Sequence, residues 1–245
     1  MAVQAHSVDP PCWAAAIGGC DEKMSREHIV SHCLFNDNEI LVQGFPWCRD
    51  KPKAIGIANL VAKILCKKHN SDLSELDSAA LGAFNVFREA IRMNEVRGRL
   101  KPSHWTIKRF TIDGPRLERW FLKTLINLSF DGLWTIGPDS TKEGRPSKSL
   151  VEIAFGLREF DKWAGLYIVG EAGETIDSMD RVNCTPLTDG LRLVAGLFVF
   201  RGYRFYLNLL PEKFDKHYQA DLLYRETTIN CSIGGRPSHA IKLRW

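Results

Sequence analysis

The sequence predicts an α+β protein in which a metal-braced amino-terminal module is followed by a mixed region dominated by antiparallel strands. Three observations carry this. Five of the seven cysteines (Cys12, Cys20, Cys33, Cys48 and Cys66) fall within residues 1–72, among short runs that read as strands and loops. Leu76, Ala80, Phe84, Phe87 and Ile91 then recur at helical spacing and give one apolar face. From Leu166 onward the apolar runs are short and separated by turn residues, as in a strand meander.

Taken in order, the first helix is expected after Ser74, whose side chain would cap the free amides, with Asp77 three residues on. Gly98 is its expected stop. Trp105, Ile107, Phe110 and Ile112 suggest a strand. Gly114-Pro115 then opens a helix carrying Leu117, Trp120, Phe121, Leu125 and Leu128, whose two aromatics are better suited to packing than to base stacking. Residues 137–149 are rich in Gly, Pro, Ser and charge and read as a linker or exposed loop, before a helix around Leu150 to Phe160. Strands are expected at Leu166–Val169, Leu191–Phe200, Tyr203–Leu210 and Ala240–Arg244. The division expected is 1–98 for the site module with its following helix and 99–245 for an accessory domain serving specificity, scaffolding or dimerisation.

Bulk composition names no activity but bounds the classes. With 245 residues, 44% hydrophobic and 25% charged, the chain can bury a core and is neither disordered nor fibrous. An odd number of cysteines argues for reduced thiols and metal ligation over a disulfide framework. Met1 to Ala16 lacks the build of a secretory signal, and the longest apolar run, Leu193 to Phe200, is too short to span a bilayer. A cytoplasmic protein with no membrane partner is the expectation. The net charge is +4, yet Arg88 to Lys123 holds ten Lys or Arg against four Asp or Glu. That concentration suits phosphate backbones, and equally suits the solvated faces of two helices.

The chemistry is concentrated in Ser25-Arg26-Glu27-His28-Ile29-Val30 and in Cys66-Lys67-Lys68-His69-Asn70. Phosphodiester hydrolysis at neutral pH needs a base for water and a cation for the charge that grows on the phosphate. His28 suits the base, and Glu27 and Asn70 offer the oxygen donors that Mg²⁺ prefers. A straight strand would send Glu27 and His28 to opposite faces, so a bend is required if both are to face one phosphate. Cys66-x-x-His69 has the spacing of half a tetrahedral zinc site. Cys20 and Cys12 are the first candidates for the other half, with Cys33 or Cys48 as replacements for Cys12.

The order Cys12, Cys20, then Glu27-His28, then Cys66-Lys67-Lys68-His69-Asn70 resembles the zinc-bearing HNH, or ββα-metal, endonucleases over residues 12–80. The resemblance implies a ββα-metal fold, DNA phosphodiester hydrolysis to 3′-OH and 5′-phosphate, and RNA as the lesser substrate. It implies His28 as general base, Glu27 and Asn70 as ligands of a catalytic Mg²⁺ or Mn²⁺, and structural Zn²⁺ on Cys12, Cys20, Cys66 and His69. The family's middle asparagine, which orients the base, falls on Asn59, with Asn36 and Asn38 as alternatives. The chain departs from the pattern in two ways: His69 stands for a second cysteine, and Cys20 comes eight positions after Cys12. Lys67, Lys68, Arg97, Arg99, Lys101, Lys108 and Arg109 are the candidate phosphate contacts. A second copy or a regulatory protein is a further expected partner.

Two readings remain open: a metal-dependent endonuclease, and a non-catalytic zinc-stabilised module for nucleic-acid binding or assembly. The phosphate-cradling Gly-x-x-x-x-Gly-Lys spacing and the Gly-x-Ser-x-Gly elbow are both absent, so nucleotide hydrolysis and serine-based acyl transfer have no support. Cys184 and Cys231 read as packing residues.

Overall fold

The computed structural model describes the chain apart from residues 1–11, 22, 35–38, 43–47, 49, 102–104, 172, 177–181, 201 and 211–220, and apart from the side chains at 33, 40–42, 57 and 182. Asn36 and Asn38, and the side chain of Cys33, therefore lie outside the described residues.

After a 3-10 turn at Trp13–Ile17 come β1 (Glu27–His28), β2 (Glu39–Val42), β3 (Lys53–Gly56) and β4 (Val61–Ala62). Two helices follow, α1 (Lys67–Asp72) and α2 (Ser74–Arg97), then β5 (Lys108–Asp113) and α3 (Gly114–Ser129). The rest runs β6 (Thr135–Ile136), α4 (Lys148–Ala154), β7 (Gly165–Val169), β8 (Val182–Asp189), β9 (Arg192–Phe200), β10 (Tyr203–Asn208), β11 (Leu222–Tyr224), β12 (Thr228–Ile233) and β13 (Arg236–Arg244). The mixed composition is that of an α+β protein.

The main sheet is ordered β11-β7-β10-β9-β8-β2-β3, with β6 alongside β9. Its centre is a meander of antiparallel pairs, while β2 joins its edge in parallel with β8 through Leu41↔Asn183 and Val42↔Cys184. The amino-terminal third therefore shares a sheet with the carboxy-terminal half. A three-stranded sheet, β12-β13-β5, and the short β1-β4 pair complete the strands.

The core lies between α2, α3 and the inner face of β9 and β10. Phe84 meets Phe200 at 3.9 Å between ring centroids, Phe121 meets Phe198 at 4.7 Å, and Trp120 meets Phe200 at 5.4 Å. One apolar cluster runs without interruption from Cys12 to Leu243, so the core is continuous across the 98/99 boundary.

α2 begins and ends where its apolar period predicts, but not by the expected devices. Ser74 does not cap: its hydroxyl donates to the Ser71 carbonyl at 2.7 Å, because α1 and α2 abut through Leu73 and no free turn precedes the helix. Asp77 is drawn instead to groups outside the helix. Gly98 stops the helix in right-handed conformation, φ −57°, rather than in the left-handed form a glycine stop usually takes. At α3 the expected start is met by Asp113, which accepts from the Arg116 amide at 3.0 Å. Residues 137–147 form a folded turn, with the Ser147 amide donating to the Ile136 carbonyl at 2.8 Å and Ser147 capping α4. Strand β8 was not expected, because Pro186 and the polar Asn183, Thr185 and Asp189 hide its period. Among the described residues no helix is long and apolar enough to cross a membrane.

Candidate metal centre

Cys66 is the residue on which the centre turns. It ends the chain segment after β4, is fully buried, and occupies the N-cap of α1. Three residues on, one helical turn brings His69 back beneath it, so the Cys-x-x-His spacing converges by helix geometry alone. Cys12 enters from the start of the Trp13–Ile17 turn, whose Trp13 amide donates to the Ile64 carbonyl at 3.0 Å. Gly18 and Gly19, both left-handed at φ 77° and 70°, then reverse the chain and deliver Cys20.

The four donor atoms of Cys12, Cys20, Cys66 and His69 all lie within 4.8 Å of one another. Cys12 Sγ, Cys20 Sγ and Cys66 Sγ stand 3.4, 3.6 and 3.3 Å from His69 Nδ1. One ring nitrogen cannot share a proton with three sulfurs at once. Tetrahedral zinc with its usual bond lengths would set each S···N separation at about 3.6 Å. The arrangement is therefore a Cys3His cluster that can bind a metal such as zinc, and the seven-residue stretch between Cys12 and Cys20 is absorbed by the 3-10 turn and the glycine pair. Cys48 is buried outside this group, within electrostatic reach of Cys184.

The protonation states suit a soft cation. Burial pushes the Cys12 thiol up to about 12 and raises Cys20 as well. Burial acts the same way on Cys66, but hydrogen bonds from the backbone at His69 and Asp21 outweigh it and hold this thiol below its ordinary value. His69 is lowered by burial and by Lys68, which favours the neutral imidazole a metal needs. Its ring is fixed edge-on against Phe155 at 5.3 Å, which in turn meets Trp13 at 5.8 Å.

The second motif lies against the first. The Ser25 amide donates to the Leu65 carbonyl at 2.8 Å, the Lys67 amide to the Lys23 carbonyl at 3.0 Å, and Met24 bridges Cys66. Asn70 Nδ2 donates to Ser25 Oγ at 2.9 Å. β1 pairs antiparallel with β4 through Glu27↔Ala62 and His28↔Val61, and α1 follows β4, while β2 and β3, which lie between the two strands in the chain, belong to the main sheet.

Glu27 and His28 go to opposite sides of β1; no bend brings them together. His28 is half-buried on the outer side. Glu27 points inward, 5% exposed, and its Oε1 lies 2.8 Å from Lys123 Nζ on α3. Lys123, itself 2% exposed, also reaches both oxygens of Asp77 at 3.0 and 2.9 Å. Asp77 accepts from the Ser31 hydroxyl, which accepts in turn from Trp120 Nε1 at 3.0 Å. Asn127, one turn further along α3, donates to the Ile29 carbonyl at 3.2 Å and accepts from Trp13 Nε1 at 3.0 Å. Trp120, Lys123 and Asn127 thus form a polar stripe on one face of α3, and each of the three reaches the Glu27–Ser31 segment.

This bears on the expected Mg²⁺ or Mn²⁺ site. Glu27 does not fit such an ion, because a buried ammonium neutralises it; Asn70 bonds Ser25 through Nδ2, which leaves its carbonyl oxygen outside that bond. Among the described residues the Cys3His set is the group of converging His, Cys, Asp or Glu donors, and no carboxylate joins it. Asn59 is exposed in the turn before β4.

Burial raises the Glu27 carboxyl above its ordinary 4.5, with Lys123 opposing. The native state therefore holds that proton more tightly than the unfolded chain. The stability contributed by this group is complete below 4.5 and is lost as the pH rises through the raised native value. Urea midpoints measured upward from pH 4.5 should accordingly vary less with pH in Glu27→Gln than in wild type. Equal slopes would refute this.

Most candidate phosphate contacts have protein partners. Lys68 pairs with Asp72 at 3.2 Å, Lys108 with Glu89 at 3.4 Å, and Arg97 bonds the Ser238 and Thr106 carbonyls. Lys67, Arg99, Lys101 and Arg109 are exposed and make no ion pair among the described residues. Two residues of the neighbourhood escaped the sequence reading. Lys123 could have been found as a charge inside an apolar helix run, and His32 as a second histidine four residues after His28.

No family model, curated protein or solved structure matches this chain.

Proposed function

We propose that the chain is a zinc-braced endonuclease of the HNH type, hydrolysing DNA phosphodiesters with His28 as the side chain that activates the attacking water. One observation carries this reading. Two motifs 36 residues apart in sequence meet in space, with Asn70 bonded to Ser25 at the head of the Glu27-His28 strand and the Cys3His cluster directly behind. Zinc at that cluster would be structural: four protein ligands fill a tetrahedron and leave no open position for substrate. It would fix the β1-β4 pair against α1. Glu27 would then act by anchoring the strand through Lys123, leaving His28 presented outward.

Wild-type protein incubated with supercoiled plasmid and divalent ions is expected to nick it, and EDTA to stop the reaction. His28→Ala should cut at least about a hundredfold more slowly, the lower end of what a positioned acid–base group supplies. A wild type that never nicks, or a His28→Ala that cuts equally well, sinks the proposal.

The Glu27–Lys123 pair favours a second reading, a non-catalytic zinc-stabilised module for nucleic-acid binding or assembly, since it closes the expected carboxylate ligand. Lys67, Arg99, Lys101 and Arg109 would supply its phosphate contacts. Retention of plasmid or RNA without cleavage is its signature.

A further inference from the structure

We propose that His28 and His32 together form a second metal site, a two-imidazole pair for a divalent transition metal ion, separate from the Cys3His cluster. Their ring centroids are 5.5 Å apart and their planes are inclined at 48°. Two imidazoles bound to one ion at about 2.0–2.1 Å and a tetrahedral angle would place their centroids about 5.2 Å apart. The observed centroid separation is within a few tenths of an ångström of that value. Neither ring makes a hydrogen bond or ion pair among the described residues, and His32 is exposed while His28 is half-buried. Their donor nitrogens are therefore not committed to the protein.

The pair is held in place, not merely near. The residues between the two histidines are pinned from three directions. The Ile29 amide donates to the Leu60 carbonyl at 2.8 Å, Asn127 holds the Ile29 carbonyl, and Ser31 is fixed between Asp77 and Trp120. With the turn so determined, the backbone positions that carry the two histidines are fixed relative to one another. Preorganisation of this kind is what a small number of ligands needs to hold an ion.

Imidazole donors select zinc, cobalt, nickel or copper over Mg²⁺, which prefers oxygen. Two protein ligands leave positions open for water or a phosphate oxygen. The site thus answers where a divalent ion could bind once Glu27 is closed by Lys123. With an ion bound, His28 would be a ligand and the ion-bound water the nucleophile, so this role replaces that of free base; use of the site in phosphodiester cleavage rests on the nuclease reading, and its existence does not.

The test is calorimetric titration of the zinc-loaded protein with Ni²⁺ alone, and separately with Co²⁺, for wild type, His28→Ala and His32→Ala. Wild type should take up one further equivalent. Each variant should bind it at least about tenfold more weakly, a loss of 1.4 kcal/mol or more, while keeping the zinc held by cysteine. Retained zinc reports that the variants are folded. No uptake by wild type, or unchanged uptake by His32→Ala, overturns the site. Uptake without cleavage of plasmid by any metal form would leave the site standing and remove the nuclease reading. Cleavage that depends on His28 in a protein that takes no Ni²⁺ or Co²⁺ would do the reverse.

Discussion

Cys66→Ser is expected to strip the protein of the zinc that survives dialysis and to lower its melting temperature by roughly 10 °C or more. Structural zinc contributes about 10–16 kcal/mol to zinc-finger peptides that have little else to hold them. Here Cys12 and His69 are buried among apolar neighbours and would stay partly in place, so only several kcal/mol should be lost. For a chain of this length each kcal/mol corresponds to about 2–4 °C. The loss should be local first: Trp13 and Phe155 pack on the cluster, and the β1-β4 pair has only two residues per strand. Cys184→Ala is the control, a fully buried thiol outside the cluster that should keep its zinc. Full zinc content in Cys66→Ser, measured by elemental analysis, would remove this residue from the ligand set.

Lys123→Met is expected to be the most damaging substitution outside the cysteines. It keeps the length of the side chain but leaves Glu27, and in part Asp77, buried without a counter-charge. Breaking one partner out of a buried pair costs about 3–5 kcal/mol, roughly 10 °C here. Combining it with Glu27→Gln and Asp77→Asn should recover much of that loss, since neutral amides tolerate burial far better than unpaired charge. Thermal unfolding of the single and triple variants decides the matter. A Lys123→Met protein as stable as wild type would mean that the ion pair does not bind β1 to α3. Zinc content should be unchanged in both, which separates this effect from that of the cluster.

How much of this was legible follows from range. Cys66-x-x-His69 is a local signal, one helical turn long, and the α2 face from Leu76 to Phe87 is a periodic one; both are read without knowing the fold. Cys20 and Cys12 were legible as nearby candidates, though not the 3-10 turn and glycine pair that let their irregular spacing work. Lys123 was not. In sequence it adds to a basic stretch and looks like a solvated charge, and only the arrival of Glu27 and Asp77 from elsewhere turns it inward. Glu27 misled for the same reason: a carboxylate beside a histidine suggests a shared metal, whereas strand alternation sends it to a lysine 96 residues away in the chain. Pro186 disguised β8, whose membership in the sheet depends on its neighbours β9 and β2.

The polar stripe on α3 has a consequence for the order in which the molecule assembles. All four Cys/His donors lie within the first 69 residues, so a metal can gather them as soon as that stretch of chain exists. The histidine turn cannot be finished so early: Trp120 reaches Ser31 across 89 residues, Asn127 reaches Ile29 across 98, and Trp13 reaches Asn127 across 114. Closing such long loops is entropically costly and slow compared with forming a local turn. During synthesis the metal cluster can therefore form first and serve as the nucleus, while the surface that carries His28 stays unset until α3 has been made and has docked.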